Sequence, residues 1–238
     1  MKGAPTQKKT SAERLYGIAF DLETMGTRHD ARIISIGAVA FSRHRVEDSG
    51  EDAGGSSFII HEDTFHEFAN PFKQHARSDD HATGQWWSAP EQSAAFEVWQ
   101  RAIKAGKTKP LPELLAAFGV WLGRARNQVE GTWGETPIWC RGPHFDVAIL
   151  QDAFAECGLP FPIHFREPRD ARTALGLIAN PVPVSDKDIE GLIPHVAVDD
   201  AKREAIEIIG TNYHLDNLGR GRKAHETFSA SFDLATLS

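Results

Sequence analysis

Nine consecutive residues, Ile33-Ile34-Ser35-Ile36-Gly37-Ala38-Val39-Ala40-Phe41, form an uncharged and almost wholly apolar run. A strand with one wet face alternates apolar and polar residues, whereas a near-continuous run fits a central strand covered on both faces. A second run, Tyr16-Gly17-Ile18-Ala19-Phe20, leads directly into Asp21-Leu22-Glu23-Thr24. Residues i and i+2 of a strand share a face, with Cα atoms about 6 to 7 Å apart, so two carboxylates point the same way at a strand tip. Two unpaired anions that close are costly unless something positive sits between them. A divalent cation meets that need.

Hard cations such as Mg²⁺ or Mn²⁺ prefer oxygen donors, and one strand cannot supply a full set. Asp146 is the first further candidate. The apolar segment Ile138-Trp139-Cys140 breaks at Gly142-Pro143, and apolar residues at Phe145, Ile149, Leu150, Ala153, Phe154 and Cys157 then recur with helical period. Pro143 suits a first helical position, which places Asp146 in the first turn, where the helix dipole favours a carboxylate. The second candidate region is His195-Val196-Ala197-Val198-Asp199-Asp200. Five residues of continuous helix would turn His195 and Asp200 about 140° apart. Pro194 and the β-branched Val196 and Val198 instead put His195 on an entering loop, with the helix starting near Val198, so that imidazole and carboxylate converge. Asp199 is the competing candidate for Asp200.

These residues resemble the DEDDh 3′-5′ exonucleases, with Asp21 and Glu23 as the first motif, Asp146 as the second, and His195 with Asp200 as the third. The similarity extends to the branch of ribonuclease T-like mycobacterial exoribonucleases and phage exonuclease A. It is carried by residues 21–27, 34–41, 139–146, 170–173 and 195–201 and spans about residues 16 to 210. Cys140 and Arg141 depart from it, since relatives carry small or amide residues there, and this bears on substrate preference more than on chemistry. The resemblance implies a ribonuclease H-like α/β fold, with a mixed central sheet of three antiparallel strands extended by parallel strands and flanked by helices. It implies hydrolysis of the terminal phosphodiester at 3′ ends of single-stranded DNA or RNA, releasing nucleoside 5′-monophosphates. Asp21, Glu23, Asp146 and Asp200 would hold two ions, Mg²⁺ or Mn²⁺. His195 would serve as general base, a task suited to a histidine's ordinary pKa near 6.5. Thr24, Met25 and Phe145 adjoin the acid motifs and are the expected contacts to the terminal nucleotide. Several relatives are dimers, so a homodimer is among the expected states.

A lone Asp or Glu at a strand end is usually a solvated cap, and a lone Asp-x-Glu is a weak signal. Four carboxylates and one histidine in this order are far more specific. A haloacid-dehalogenase-type phosphatase also opens on a strand-end acid, but it needs an aspartate where this chain has Glu23. The stronger alternatives are a catalytically inactive nucleic-acid-binding module and a polymerase-associated proofreading subunit. Trp86-Trp87 has two readings, a platform for unpaired bases at about 1 to 3 kcal/mol per base or, more commonly, core packing. Arg28, Arg32, Arg141, Arg169 and Arg172 are candidate phosphate contacts, each equally readable as a surface ion pair.

At 238 residues the chain suits one enzyme domain, expected over 15–212, with a flexible tail at 1–14 and a C-terminal extension at 213–238. The extension contains the basic cluster Arg220-Gly221-Arg222-Lys223. A net charge of −7 argues against long, tight duplex binding and for a short contact at a strand end. The two cysteines, Cys140 and Cys157, lie in apolar contexts, which favours a reduced, cytoplasmic setting. No apolar stretch is long enough to span a membrane. Residues 43–57 are polar and read as a long hairpin connection or insertion, and Phe58–Ile60 with Phe65–Phe68 as a third, bulged strand. Helices are expected over Pro90–Ala105, Leu111–Arg126, Phe145–Cys157, Asp170–Ile178 and Val198–Ile209.

Overall fold

The apolar run forms β2 (Ile33–Ser42), which pairs antiparallel with β1 (Leu15–Thr24) and is buried along its whole length. In the computed structural model the described residues are 15–42, 46–47, 56–57, 60–129, 134–177 and 189–219. The segment after β2 contains a short antiparallel pair, β3 (Val46–Glu47) with β4 (Ser56–Ser57), in agreement with a hairpin connection. Then come β5 (Phe65–Ala69), helix α1 (His81–Trp87), α2 (Ser93–Lys104), β6 (Thr108–Lys109) and α3 (Leu111–Arg126). The remaining elements are β7 (Ile138–Cys140), α4 (Asp146–Glu156), β8 (Pro168–Asp170), α5 (Ala171–Gly176) and α6 (Ala197–Gly219).

The main sheet runs β6-β5-β2-β1-β7-β8. Its β5-β2-β1 half is antiparallel, β7 and β8 extend it in parallel beyond β1, and β6 adds a parallel edge beside β5. This is the mixed ribonuclease H-like sheet that the resemblance implies. Alternate residues of β1 face opposite layers, because side chains along a strand alternate. Ile18, Phe20 and Leu22 join Leu114, Leu115 and Phe118 of α3 and Ile149 of α4 in one core. Ala19 joins Val39, Phe41 and the α6 residues Ala201, Ala205 and Ile208 in the other. Asp21 and Glu23 continue the Ala19 face, so they look toward α6.

Four expectations shift. Phe65–Ala69 forms the third strand, but Phe58 and Ile59 lie outside the described residues; Ile60 makes only an isolated bridge to Phe41. Pro143 is not the first helical residue: α4 begins at Asp146, and Pro143 lies in the preceding turn, where the carbonyl of Gly142 accepts from the N–H groups of Phe145 and Asp146. Helix α6 starts one residue before Val198 and runs ten beyond Ile209, through the expected boundary at 212/213. Gly210, Thr211 and Asn212 are poor helix formers, but Thr211 and Asn212 are buried and the Thr211 hydroxyl donates to the Glu207 carbonyl at 2.9 Å, so packing overrides propensity. Helix α1 is not anticipated, because His81-Ala82-Thr83-Gly84 has little helical character; Asp80 caps it through the Ala82 N–H at 3.1 Å. Residues 1–14, Ile178 and the basic cluster at 220–223 lie outside the described residues.

Candidate active site

Strand β1 meets β2 antiparallel on one side and β7 parallel on the other, and the carboxyl ends of β1 and β7 open together. Open α/β sheets bind ligands beyond the carboxyl ends of their parallel strands. A cleft of about 1020 Å³ lies there, lined by Asp21, Glu23, Asp146, His195 and Asp200 among others. Its volume is at the upper end of the roughly 300 to 1,000 Å³ range of small-molecule sites, room for more than one nucleotide. A register shift between Glu23 and Thr24 bends the acidic end of β1 at the cleft.

Three local devices bring the acidic side chains in. Asp21 and Glu23 come from the strand's two-residue period. Asp146 is delivered by the turn at Gly142, whose φ of 122° is a conformation that glycine adopts at little cost. Its Oδ1 then accepts the Leu22 N–H at 3.3 Å, stitching the first turn of α4 onto β1 between the two acids. His195 and Asp200 converge as the sequence predicts. His195 sits on the loop before α6 with φ of 63°, and its N–H donates to Asp200 Oδ2 at 2.8 Å. The imidazole Nδ1 is 4.0 Å from the same oxygen. Asp199 points elsewhere: its Oδ2 accepts the Ile193 N–H at 3.2 Å and its Oδ1 faces Lys202 Nζ at 3.3 Å.

The electrostatics are those of crowded, poorly hydrated anions. Burial, followed by the charges of Glu23, Asp146, Asp200 and Glu204, holds the Asp21 carboxyl well above the usual range. Burial also raises Glu23, with Asp200 and Asp146 adding to it. Burial pushes Asp146 up to about 7 despite the opposing Leu22 hydrogen bond. Asp200 is raised by burial too, against its bond to the His195 backbone. A site that strains four carboxylates toward protonation is short of positive charge. Glu23, His195 and Asp200 offer ligand atoms all within 4.8 Å of one another, and an oxygen-rich set of this kind suits a hard divalent ion.

Thr24 and Phe145 also line the cleft, whereas Met25 lines a smaller adjoining depression beside Asp79 and Asp80. The tryptophan pair divides between its two readings. Trp87 is buried and donates Nε1–H to the Thr24 carbonyl at 2.9 Å, fixing the strand end. Trp86 is 40% exposed in the cleft, and its ring meets His195 edge to face at 4.7 Å. Of the candidate arginines, Arg141 and Arg172 line the cleft. Arg28 pairs with Asp30, Arg32 with Asp79, and Arg169 donates to carbonyls of its own loop.

Glu204 and Glu207 are among the cleft residues that are not anticipated. Glu204, one helical turn after Asp200, is 4% exposed, and burial, with Asp146 as the next cause, holds its carboxyl well above the ordinary range. Glu207 follows on the same side and pairs with Arg141 and Arg203. The i, i+4 and i+7 spacing from Asp200 is the signal that would have found them.

The family model described as the 3′-5′ exoribonuclease Rv2179c-like domain matches residues 17–208. Among solved structures, the nuclease domain of 3′hExo, a DEDDh family member bound to rAMP, is 16% identical with a TM-score of 0.53, covering 87% of this chain and 94% of that one. Cell-death related nuclease 4 (CRN-4) is 15% identical with a TM-score of 0.49; the alignment covers 86% of this chain and 65% of that one. No curated protein matches the chain.

Proposed function

The chain belongs to the 3′-5′ exoribonuclease Rv2179c-like domain family, and we propose that it is an exonuclease of the DEDDh type that trims single-stranded RNA, releasing nucleoside 5′-monophosphates. RNA is favoured over DNA by the exoribonuclease description of the family. The observation that carries the reading is the convergence of β1, the start of α4 and the start of α6 on one cleft, with Glu23, His195 and Asp200 within ligand reach of one another.

In this reading Asp21, Glu23, Asp146 and Asp200 hold two divalent ions, Mg²⁺ or Mn²⁺. Bound ions supply the positive charge that offsets charge gathering on the phosphate and on the leaving 3′ oxygen. His195 takes the proton of the attacking water. Its backbone is fixed by Asp200 and its ring by Trp86, so the acceptor nitrogen is aimed before substrate arrives. Phe145, Thr24 and the exposed face of Trp86 bound the space for the terminal nucleotide.

The test is incubation of the purified chain with 5′-labelled single-stranded RNA and DNA of one sequence in Mg²⁺ or Mn²⁺. A ladder shortening from the 3′ end, with RNA consumed faster, is the expected result, and Asp21→Asn should abolish it. Internal cuts, a shifted but intact band, or near-wild-type turnover by the Asn variant would refute the proposal.

A further inference from the structure

The cleft poses an electrostatic problem that its carboxylates make worse. A chain of net charge −7 must draw in a polyanion, and Asp21, Glu23, Asp146 and Asp200 all line the cleft that receives it. Cations that answer this lie along one wall, where Arg141, Arg172 and Arg203 all line the cleft. Arg141 follows directly on β7 and stands five residues before Asp146. Arg172 Nη2–H donates to the Arg141 carbonyl at 3.4 Å, tying the two together. The Arg141 guanidinium, 41% exposed, pairs with Glu207, and its Nε lies 4.0 Å from Glu204 Oε2. Glu207 is shared, since Arg203 Nε lies 3.9 Å from its other oxygen.

We propose that Arg141 binds the backbone phosphate next upstream of the scissile one, and that Glu207 restrains it until a strand arrives. The proposal rests on the 3′-end reading above. At a 3′ end the scissile phosphodiester is the last in the strand, so every other phosphate in the cleft lies on its 5′ side. A guanidinium fork matches two phosphate oxygens as it matches a carboxylate. Glu207 keeps Arg203 beside it when Arg141 turns to a phosphate, so the exchange does not strand its carboxylate without a cation. Such an exchange makes Arg141 a length-sensing residue: it has nothing to hold when the substrate carries one phosphate only.

Steady-state kinetics of the full chain on a ten-nucleotide RNA and on an unphosphorylated dinucleotide, which contains only the scissile phosphate, tests this. Arg141→Gln should raise KM on the decamer by about tenfold with kcat little changed, and raise it far less on the dinucleotide. The slope of log KM against log salt on the decamer should shrink by about 0.7, the loss of one single-strand phosphate contact. Arg141→Lys should restore part of both effects. Glu207→Gln, which frees the guanidinium, should lower KM on the decamer. Equal KM penalties on both substrates, or none on either, overturn the role of Arg141; a raised KM for Glu207→Gln overturns the restraint. A wild-type chain that cuts neither substrate overturns the 3′-end reading itself, an outcome distinct from active wild type with an insensitive Arg141 variant.

Discussion

Gly37 is the residue whose replacement should do most damage for its size. It stands opposite Asp21 in the β1–β2 register and faces the start of α6. A Cβ placed there would lie 2.1 Å from the Ala197 carbonyl carbon and from the Val198 nitrogen, both backbone atoms. Ordinary contact begins near 3.4 Å, so Gly37→Ala forces strand and helix apart by roughly 1.3 Å. The atoms met are backbone, which has no rotamer to turn away, and β2 is held between two paired strands, so the helix start must move. That start carries His195 and Asp200. Overpacking of this kind costs about 1 to 3 kcal/mol, a fall in Tm of roughly 2 to 12 °C for a chain of this length. Displacement of reacting groups by about 1 Å costs on the order of a hundredfold in rate. The assay is kcat on a labelled strand at a temperature where circular dichroism shows the variant fully folded. Wild-type kcat in folded Gly37→Ala would refute the argument that this close approach sets the geometry of the cleft.

The same substitution at Gly123 should have the opposite sign, since that position is exposed within α3 and a Cβ there meets nothing within 4 Å; denaturant unfolding should show about 0.5 to 1 kcal/mol of added stability. His195→Ala should lower kcat by about 10²- to 10⁴-fold while retaining divalent-ion binding by calorimetry, and turnover within threefold of wild type would remove the general-base role. Without divalent ions, stability should fall as pH rises. Asp146 keeps its proton in the fold to about pH 7 but loses it near 3.8 when unfolded, so between these values the folded chain holds the extra proton and each pH increase favours unfolding. Tm in a chelator should therefore be lower at pH 8 than at pH 5, and added Mg²⁺ should raise it more at pH 8; a chelator profile that rises across this range would contradict the burial argument.

The parts of the site that are legible in the sequence are those governed by a short-range rule. The two-residue strand period places Asp21 beside Glu23, and the rotation per helical residue forces His195 off the helix that carries Asp200. The fully apolar β2 reads as a buried central strand because no wet face interrupts it. What is not legible depends on partners distant in sequence. Helix α6 continues through Gly210 and Thr211 because the surrounding core buries them. Trp86 and Trp87 are adjacent and chemically identical, but only the register of α1 against the end of β1 decides which one reaches the Thr24 carbonyl. Glu204 would ordinarily read as a solvated helical residue, and only the convergence of α6 on β1 and α4 makes it a buried anion. Met25 is two residues from Glu23, and the register shift after Glu23 helps explain why it lines the neighbouring depression instead of the cleft.

The acids of β1 are made early in synthesis and the start of α6 late. A ribosome that has extended this chain only as far as α5 holds Asp21, Glu23 and Asp146, but neither the imidazole nor the carboxylate that closes the set. On the proposed reading the nascent chain is thus inert beside its own message, and the cleft is complete only when α6, the last of the described helices, docks against β2 at Gly37.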